Sequence, residues 1–232
     1  MIENKTIGQI VADNIRTANV FKKYGLDFCC GGEKSIESAC TEKGVNIADL
    51  MKDIDAVLVQ SETVEDFQSM ALDTLIEHIY NQHHKYIYEL GPITAEFINK
   101  VARVHGENHP ETIEIAKLYN GLLAELHQHM MKEEQILFPA IKRMVSDQAA
   151  FSSFVNGPIS VMKMEHDNAG DILKRMNLLS SGYTLPEDAC NTYRAAYTNL
   201  NELEENIHVH IHLENNILFP KAISLEEQLL NS

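Results

Sequence analysis

The chain has 232 residues, room for one large domain or for a bundle with a small companion. It is 44% hydrophobic with only 6 prolines and 11 glycines, a balance that favours packed helices over a many-turned β fold. Its net charge of −15 argues against nucleic acid or an anionic membrane as the main partner, and no run approaches the ~20 apolar residues of a membrane span.

The opening MIENKTIGQIVADN lacks the basic start and apolar run of a secretory signal. The 4 cysteines have no framework spacing and fit a reducing cytoplasm. Thr6-Ile7-Gly8-Gln9 reads as a capping box opening a helix with Ile7, Ile10 and Val11 on one face. Gly25 and Gly31-Gly32 break the pattern around Cys29-Cys30, and a further helix is predicted from Asn46 with Ile47, Leu50, Met51 and Ile54. The polar, acidic stretch Gln60–Asp66 places a linker at 58–69, between a small unit at 1–57 and a large one at 70–225.

In the large unit Leu72, Leu75, Ile76, Ile79 and Ile87 recur at helical spacing. Pro92 predicts a kink or a break. Stops at Gly106–Pro110, Phe138-Pro139, Gly157-Pro158, Ser180–Pro186 and Phe219-Pro220 leave four long helices, roughly 70–104, 111–144, 158–179 and 187–218. The expected fold is all-α, a four-helix bundle behind a small helical N-terminal domain.

The chemistry lies in an internal repeat. Residues 127–139 read HQHMMKEEQILFP and residues 208–220 read HVHIHLENNILFP, so a shift of 81 lays His129 on His210 and Glu133 on Glu214. A His and a Glu four apart share one helical face, and each copy therefore offers one imidazole and one carboxylate at the same spot. Carboxylates can bridge two metals, and a His/Glu set suits iron or manganese better than an ion that seeks thiolates. The other two helices supply His84 and His166, each level with a His-x-x-x-Glu pair when the hairpins are folded about 107–108 and 188.

His83 also falls near the inner face, although His84 is favoured. His105 lies 21 residues beyond His84, about 30 Å along a continuous helix, which excludes it as a direct ligand and puts it at the hairpin tip. His127, His208 and His212 are off the ligand face, at the surface or behind the ligands. Glu125, one turn before His129, and Glu165, beside His166, are candidates for orienting a ligand or lining an access path, with a plain solvated glutamate as the other reading. Cys29 and Cys30 could serve a thiol or metal-exchange role or could be buried packing, since adjacent cysteines make only a strained disulfide. Cys40 and Cys190 are expected to be inert.

The paired His-x-x-x-Glu helices ending in Ile-Leu-Phe-Pro, the Met164-Glu165-His166-Asp167 run and the Asp27-Phe28-Cys29-Cys30-Gly31-Gly32 segment closely resemble the Repair of Iron Centres family, di-iron proteins of the YtfE/ScdA type. The resemblance covers nearly the whole chain: an ScdA-type N-terminal domain, then a hemerythrin-like domain. It implies an up-down bundle with two non-haem iron ions, bridged by carboxylates and open to an oxo bridge. Carried over, the ligands are His84, His129, Glu133, His166, His210 and Glu214, the family's cysteine pair is Cys29 and Cys30, and His105 matches a family histidine of open role.

The implied function is repair of iron–sulfur clusters damaged by nitrosative or oxidative stress, by donation of iron to damaged or apo iron–sulfur proteins in the cytoplasm. Open coordination positions would admit small ligands such as nitric oxide or dioxygen, and metal affinity would fall as acid protonates the imidazoles. Two rivals stay open: a nitric oxide reductase or peroxidase, and an oxygen- or iron-sensing binding protein. Whether the chain pairs as a homodimer is also open.

Overall fold

The computed structural model describes residues 5–59, 65–146 and 154–231; residues 60–64 of the predicted linker lie outside them. Every named element among the described residues is helical. The N-terminal unit holds four short helices, α1 (Ile7–Asp13), α2 (Thr17–Lys23), α3 (Ile36–Lys43) and α4 (Ile47–Leu58). The Thr6 hydroxyl accepts the Gln9 N–H while the Gln9 side chain takes the Thr6 N–H, completing the capping box. Ser35 and Asn46 cap α3 and α4 with one bond each, accepting the N–H groups of Ser38 and Ala48.

The segment between α2 and α3 folds back onto α1. The first-turn N–H groups of Ile7 and Gly8 donate to the carbonyls of Lys34 (2.9 Å) and Gly32 (2.8 Å). The orphan donors of a helix start thus hold the loop that carries the cysteines.

The bundle consists of α5 (Leu72–Ile79) running into α6 (Lys85–His105), α7 (Glu111–Lys132) into α8 (Phe138–Ser146), α9 (Asn156–Leu179), and α10 (Asn191–Leu213) into α11 (Phe219–Leu230). Each of the three joins is a single π-helical turn, at Tyr80–His84, Glu133–Leu137 and Glu214–Leu218. The two Phe-Pro pairs therefore do not end their helices as the sequence predicted. The Phe138 N–H reaches back to the Glu133 carbonyl and Phe219 to Glu214, and the widened turn accommodates a proline that has no N–H to give.

Helix α6 also continues through Pro92. Around it the Thr94 hydroxyl donates to the Leu90 carbonyl at 2.9 Å and the Tyr119 hydroxyl to that of Gly91 at 3.0 Å. Gly91 lets Leu123 pack close, since a Cβ there would meet Leu123 Cδ1 at 2.6 Å and push that side chain aside.

Two apolar layers sandwich a polar one. One is built on Ile79, Phe138, Ile141, Met162, Leu218 and Phe219. The other runs from Ile87, Leu122, Met130 and Ile211 into Ile7, Phe21 and Leu50 of the N-terminal unit, so the small unit shares a core with the bundle. The histidines and glutamates singled out by the repeat lie between the two.

Candidate metal centre

The i, i+4 spacing works as its periodicity requires: α7 turns His129 and Glu133 inward together, and α10 does the same for His210 and Glu214. The π turn at the head of α6 brings His84, and α9 brings His166. All six predicted residues converge, none more than 3% exposed.

They form two groups of four that share both carboxylates, His84–His210–Glu133–Glu214 and His129–His166–Glu133–Glu214. In the first, His84 Nε2 lies 3.2 Å from His210 Nε2 and 3.5 Å from Glu133 Oε2, and His210 Nε2 lies 3.2 Å from Glu214 Oε1. In the second, His166 Nε2 lies 3.0 Å from His129 Nε2 and 3.1 Å from Glu214 Oε2, and His129 Nε2 lies 3.3 Å from Glu133 Oε1. The imidazoles thus pair between the π turn that leads into α6 and α10, and between α7 and α9, and each glutamate sends one oxygen to each group.

This arrangement fits cations. Glu133 and Glu214 are 0% exposed, and none of their four oxygens has a hydrogen bond of acceptable geometry. Carboxylates buried in that condition cost several kcal/mol each unless positive charge compensates them. Protons respond to the same field. Burial works against a charged His129, yet Glu133, Glu214 and Glu165 raise its pKa to about 9. Burial would likewise favour a protonated Glu214, but the attraction of His210 and His166 holds it well below the ordinary carboxylate range.

The outward-facing nitrogens explain how the rings are aimed. His84 Nδ1 meets Glu134 Oε1 at 2.8 Å, His129 Nδ1 meets Glu165 Oε2 at 2.9 Å, and His166 Nδ1 meets Asn215 Oδ1 at 2.9 Å. An Nδ1–H given to such an acceptor leaves Nε2 as the free donor pair facing the centre. Lys132 in turn grips the other oxygen of Glu165. Two aromatic rings complete the clamp: Phe138 stacks on His84 at 5.6 Å and Phe219 on His166 at 5.9 Å.

The sequence reading missed Glu134, Asn215 and the two phenylalanines as positioning residues. The signal was present, because the shift that overlays the ligands also overlays Glu134 on Asn215 and Phe138 on Phe219. Of the two glutamates proposed beside the ligands, Glu165 meets His129 Nδ1 at 2.9 Å, whereas Glu125 is exposed on α7, as its reading as a solvated glutamate has it.

His83 is buried but turns away from both groups, stacked on the back of His210 at 5.8 Å. His105 sits at the far end of α6, where its Nε2 lies 3.3 Å from Cys190 Sγ. Cys190 is exposed at the start of α10, and the Tyr193 N–H and the His105 ring lower its thiol pKa to about 7, which is not the inert cysteine expected. His212 was expected at the surface or behind the ligands; it is 0% exposed and packs on Phe28 at 5.7 Å. The N-terminal unit covers it, a contact no helical spacing could reveal.

That unit brings its cysteines to the centre's edge. Asp27 Oδ1 accepts the N–H groups of Cys29 (3.1 Å) and Cys30 (3.0 Å), bending the chain so that both thiols project from one turn. Both are free, with their sulfurs 3.8 Å apart. The Cys30 sulfur and burial push the Cys29 thiol well above its ordinary range. Asn216, two residues after the shared Glu214, donates to the carbonyls of Phe28 (3.3 Å) and Cys29 (3.2 Å). Gly32 has to be glycine here: a Cβ would stand 2.6 Å from Asn216 Oδ1 and 2.7 Å from the Phe28 carbonyl.

A helical bundle with two His/Glu groups sharing buried carboxylates defines a hemerythrin-like cation-binding protein. Residues 74–222 match the family described as "Hemerythrin HHE cation binding domain", and residues 3–58 match ScdA_N, described as a domain of unknown function. The "Iron-sulfur cluster repair protein YtfE" of Enterobacter sp. (strain 638) is 38% identical over 96% of this chain and 98% of its own length. Its counterpart in Yersinia pestis (strain Pestoides F) is 39% identical over 95% of this chain and 97% of its own. The chain belongs to the YtfE family of iron–sulfur cluster repair proteins.

Proposed function

We propose that this protein repairs damaged iron–sulfur clusters by holding two non-haem irons and giving iron up to damaged or apo iron–sulfur proteins. The observation that carries the reading is the pair of four-donor groups bridged by Glu133 and Glu214. His84 and His210 would hold one ion, His129 and His166 the other, and the two glutamates both. Bound there, the irons would supply one-electron chemistry and open positions for small ligands such as nitric oxide or dioxygen.

The chain's own residues aim the imidazoles, exclude water through the apolar layers above and below, and place two thiols at the rim. Cys29 and Cys30 are read as the thiol step of transfer, supported by Cys30 Sγ lying 3.5 Å from the His166 carbonyl. The organisation follows the same reading: 1–57 as the cysteine unit, 58–69 as linker and 70–225 as the di-iron unit, working in the cytoplasm. Among the described residues no helix is long and apolar enough to cross a membrane.

The test is metal analysis with Mössbauer spectroscopy on anaerobically purified protein, repeated on Glu133→Leu and Glu214→Leu. Two coupled irons, lost in both variants, are expected; a single zinc would end the proposal. Donation is tested separately by following labelled iron into an apo cluster protein. Retention of both irons under reducing conditions would overturn it.

A further inference from the structure

The two halves of the centre are chemically alike where they face the cations and unlike behind. His84 and His166 are the two lone imidazoles that complete the His-x-x-x-Glu pairs, and the residue before each lies against an imidazole of a neighbouring helix. Before His166 stands Glu165, which takes the Nδ1 of His129 at 2.9 Å. Before His84 stands His83, whose ring lies parallel to that of His210, 9° apart, with its nitrogens in the wrong plane to take the corresponding Nδ1. His210 Nδ1 is consequently buried with no hydrogen-bond partner, and so is His83 Nε2. The repeat places Asn206 one turn before His210 where Glu125 stands one turn before His129, and Asn206 Oδ1 holds His83 Nδ1 at 3.2 Å.

Resting on the two-iron reading above, we infer that the two cation positions are unequal, that the ion held by His84 and His210 is the one released first, and that His83 makes it so. A ligating imidazole whose second nitrogen is held by an acceptor is a better oriented and more basic ligand, and loss of such a partner costs about 10–100-fold in metal affinity. Both imidazoles of the His129/His166 group have their partner, while the other group has one on His84 alone. His83 also faces a second imidazole nearer the surface. Its ring lies 5.8 Å from that of His78, which is half-buried with its Nδ1 3.7 Å from Glu65 Oε1, and Glu65 is exposed.

The experiment follows ferrous iron leaving anaerobically loaded protein into a colorimetric chelator under stopped flow. Native protein should release its two ions in two phases of equal amplitude. Glu165→Ala should speed the slow phase by about 10–100-fold and bring the phases together. Glu165→Gln, which keeps an acceptor, should stay close to native. His83→Glu, which restores the carboxylate of the other half, should slow the fast phase and leave the slow one unchanged. Release of both ions in one phase, or acceleration of only the fast phase by Glu165→Ala, overturns the inference while leaving the two-iron reading intact. A loaded stoichiometry below two overturns both. Biphasic release without transfer to an apo cluster protein refutes donation alone.

Discussion

Cys30 Sγ lies 3.5 Å from the backbone carbonyl of His166, 136 residues further along the chain, and its sulfur is the atom that a Cβ on Gly170 would meet at 3.3 Å. One thiol of the N-terminal unit is thus seated on the helix that supplies a metal-facing imidazole, and the missing side chain at Gly170 makes the seat. The contact depends on Asn216 and Gly32 holding the cysteine turn from the other side. Gly32→Ala should force the turn off Asn216. Both cysteines should then react with a thiol reagent several-fold faster, while the far-ultraviolet circular dichroism stays helical. Unchanged labelling would show that the cysteine turn is not held this way.

The Phe138 and Phe219 rings are buried and stacked on His84 and His166. Phe219→Ala should destabilise the protein by about 3–5 kcal/mol, the cost of emptying a large core site, read by denaturant unfolding. It should also weaken cation binding at the His129/His166 group more than at the His84/His210 group. A loss below about 1 kcal/mol would contradict the packing described.

Glu134 and Asn215 lie on the far nitrogens of His84 and His166; Glu134 also accepts from the Tyr88 hydroxyl at 3.2 Å, and Asn215 donates to the Cys29 carbonyl at 3.4 Å. Glu134→Ala and Asn215→Ala should each weaken metal affinity by about 10–100-fold with little change in apoprotein stability, measured by competition with a calibrated chelator. Native affinity in both would reduce these side chains to surface residues.

Metal removal should lower the melting temperature. An ion that binds only the folded chain stabilises it by about 2.7 kcal/mol at a hundred-fold excess over its Kd. Chelation should reverse this, and Glu133→Leu with Glu214→Leu should abolish it. Scanning calorimetry with and without added ferrous iron checks the expectation.

Cys190 faces the first-turn N–H groups of α10 and the His105 ring, with a thiol pKa of about 7. The thiolate is the reactive form, so alkylation should rise as pH climbs through about 7 rather than through the ordinary thiol range near 9. His105→Ala should move that midpoint upward. A native midpoint above pH 8 would remove the pairing.

Much of this was legible in one dimension because helices are periodic. A His and a Glu four residues apart share a face whatever surrounds them, so His129–Glu133 and His210–Glu214 could be read directly, and the repeat doubled the signal. The capping residues Thr6 and Asn46 were readable for the same local reason. Expectations failed where a local rule met a non-local constraint. Phe-Pro reads as a stop, but the helices pass it on a π turn whose widening also serves the ligand there.

The sequence by itself determined an all-helical chain and the two inward His-x-x-x-Glu pairs, set by the backbone's own repeat, and hairpin register put His84 and His166 level with them. Only the tertiary structure decided that His84 pairs with His210 and His129 with His166, that Glu134 and Asn215 aim the rings, and that His212 lies beneath the N-terminal unit. Those relations join residues up to 184 positions apart, as between His212 and Phe28. Such distances are closed by packing two apolar layers around one polar layer, and nothing in a helix's own period encodes that.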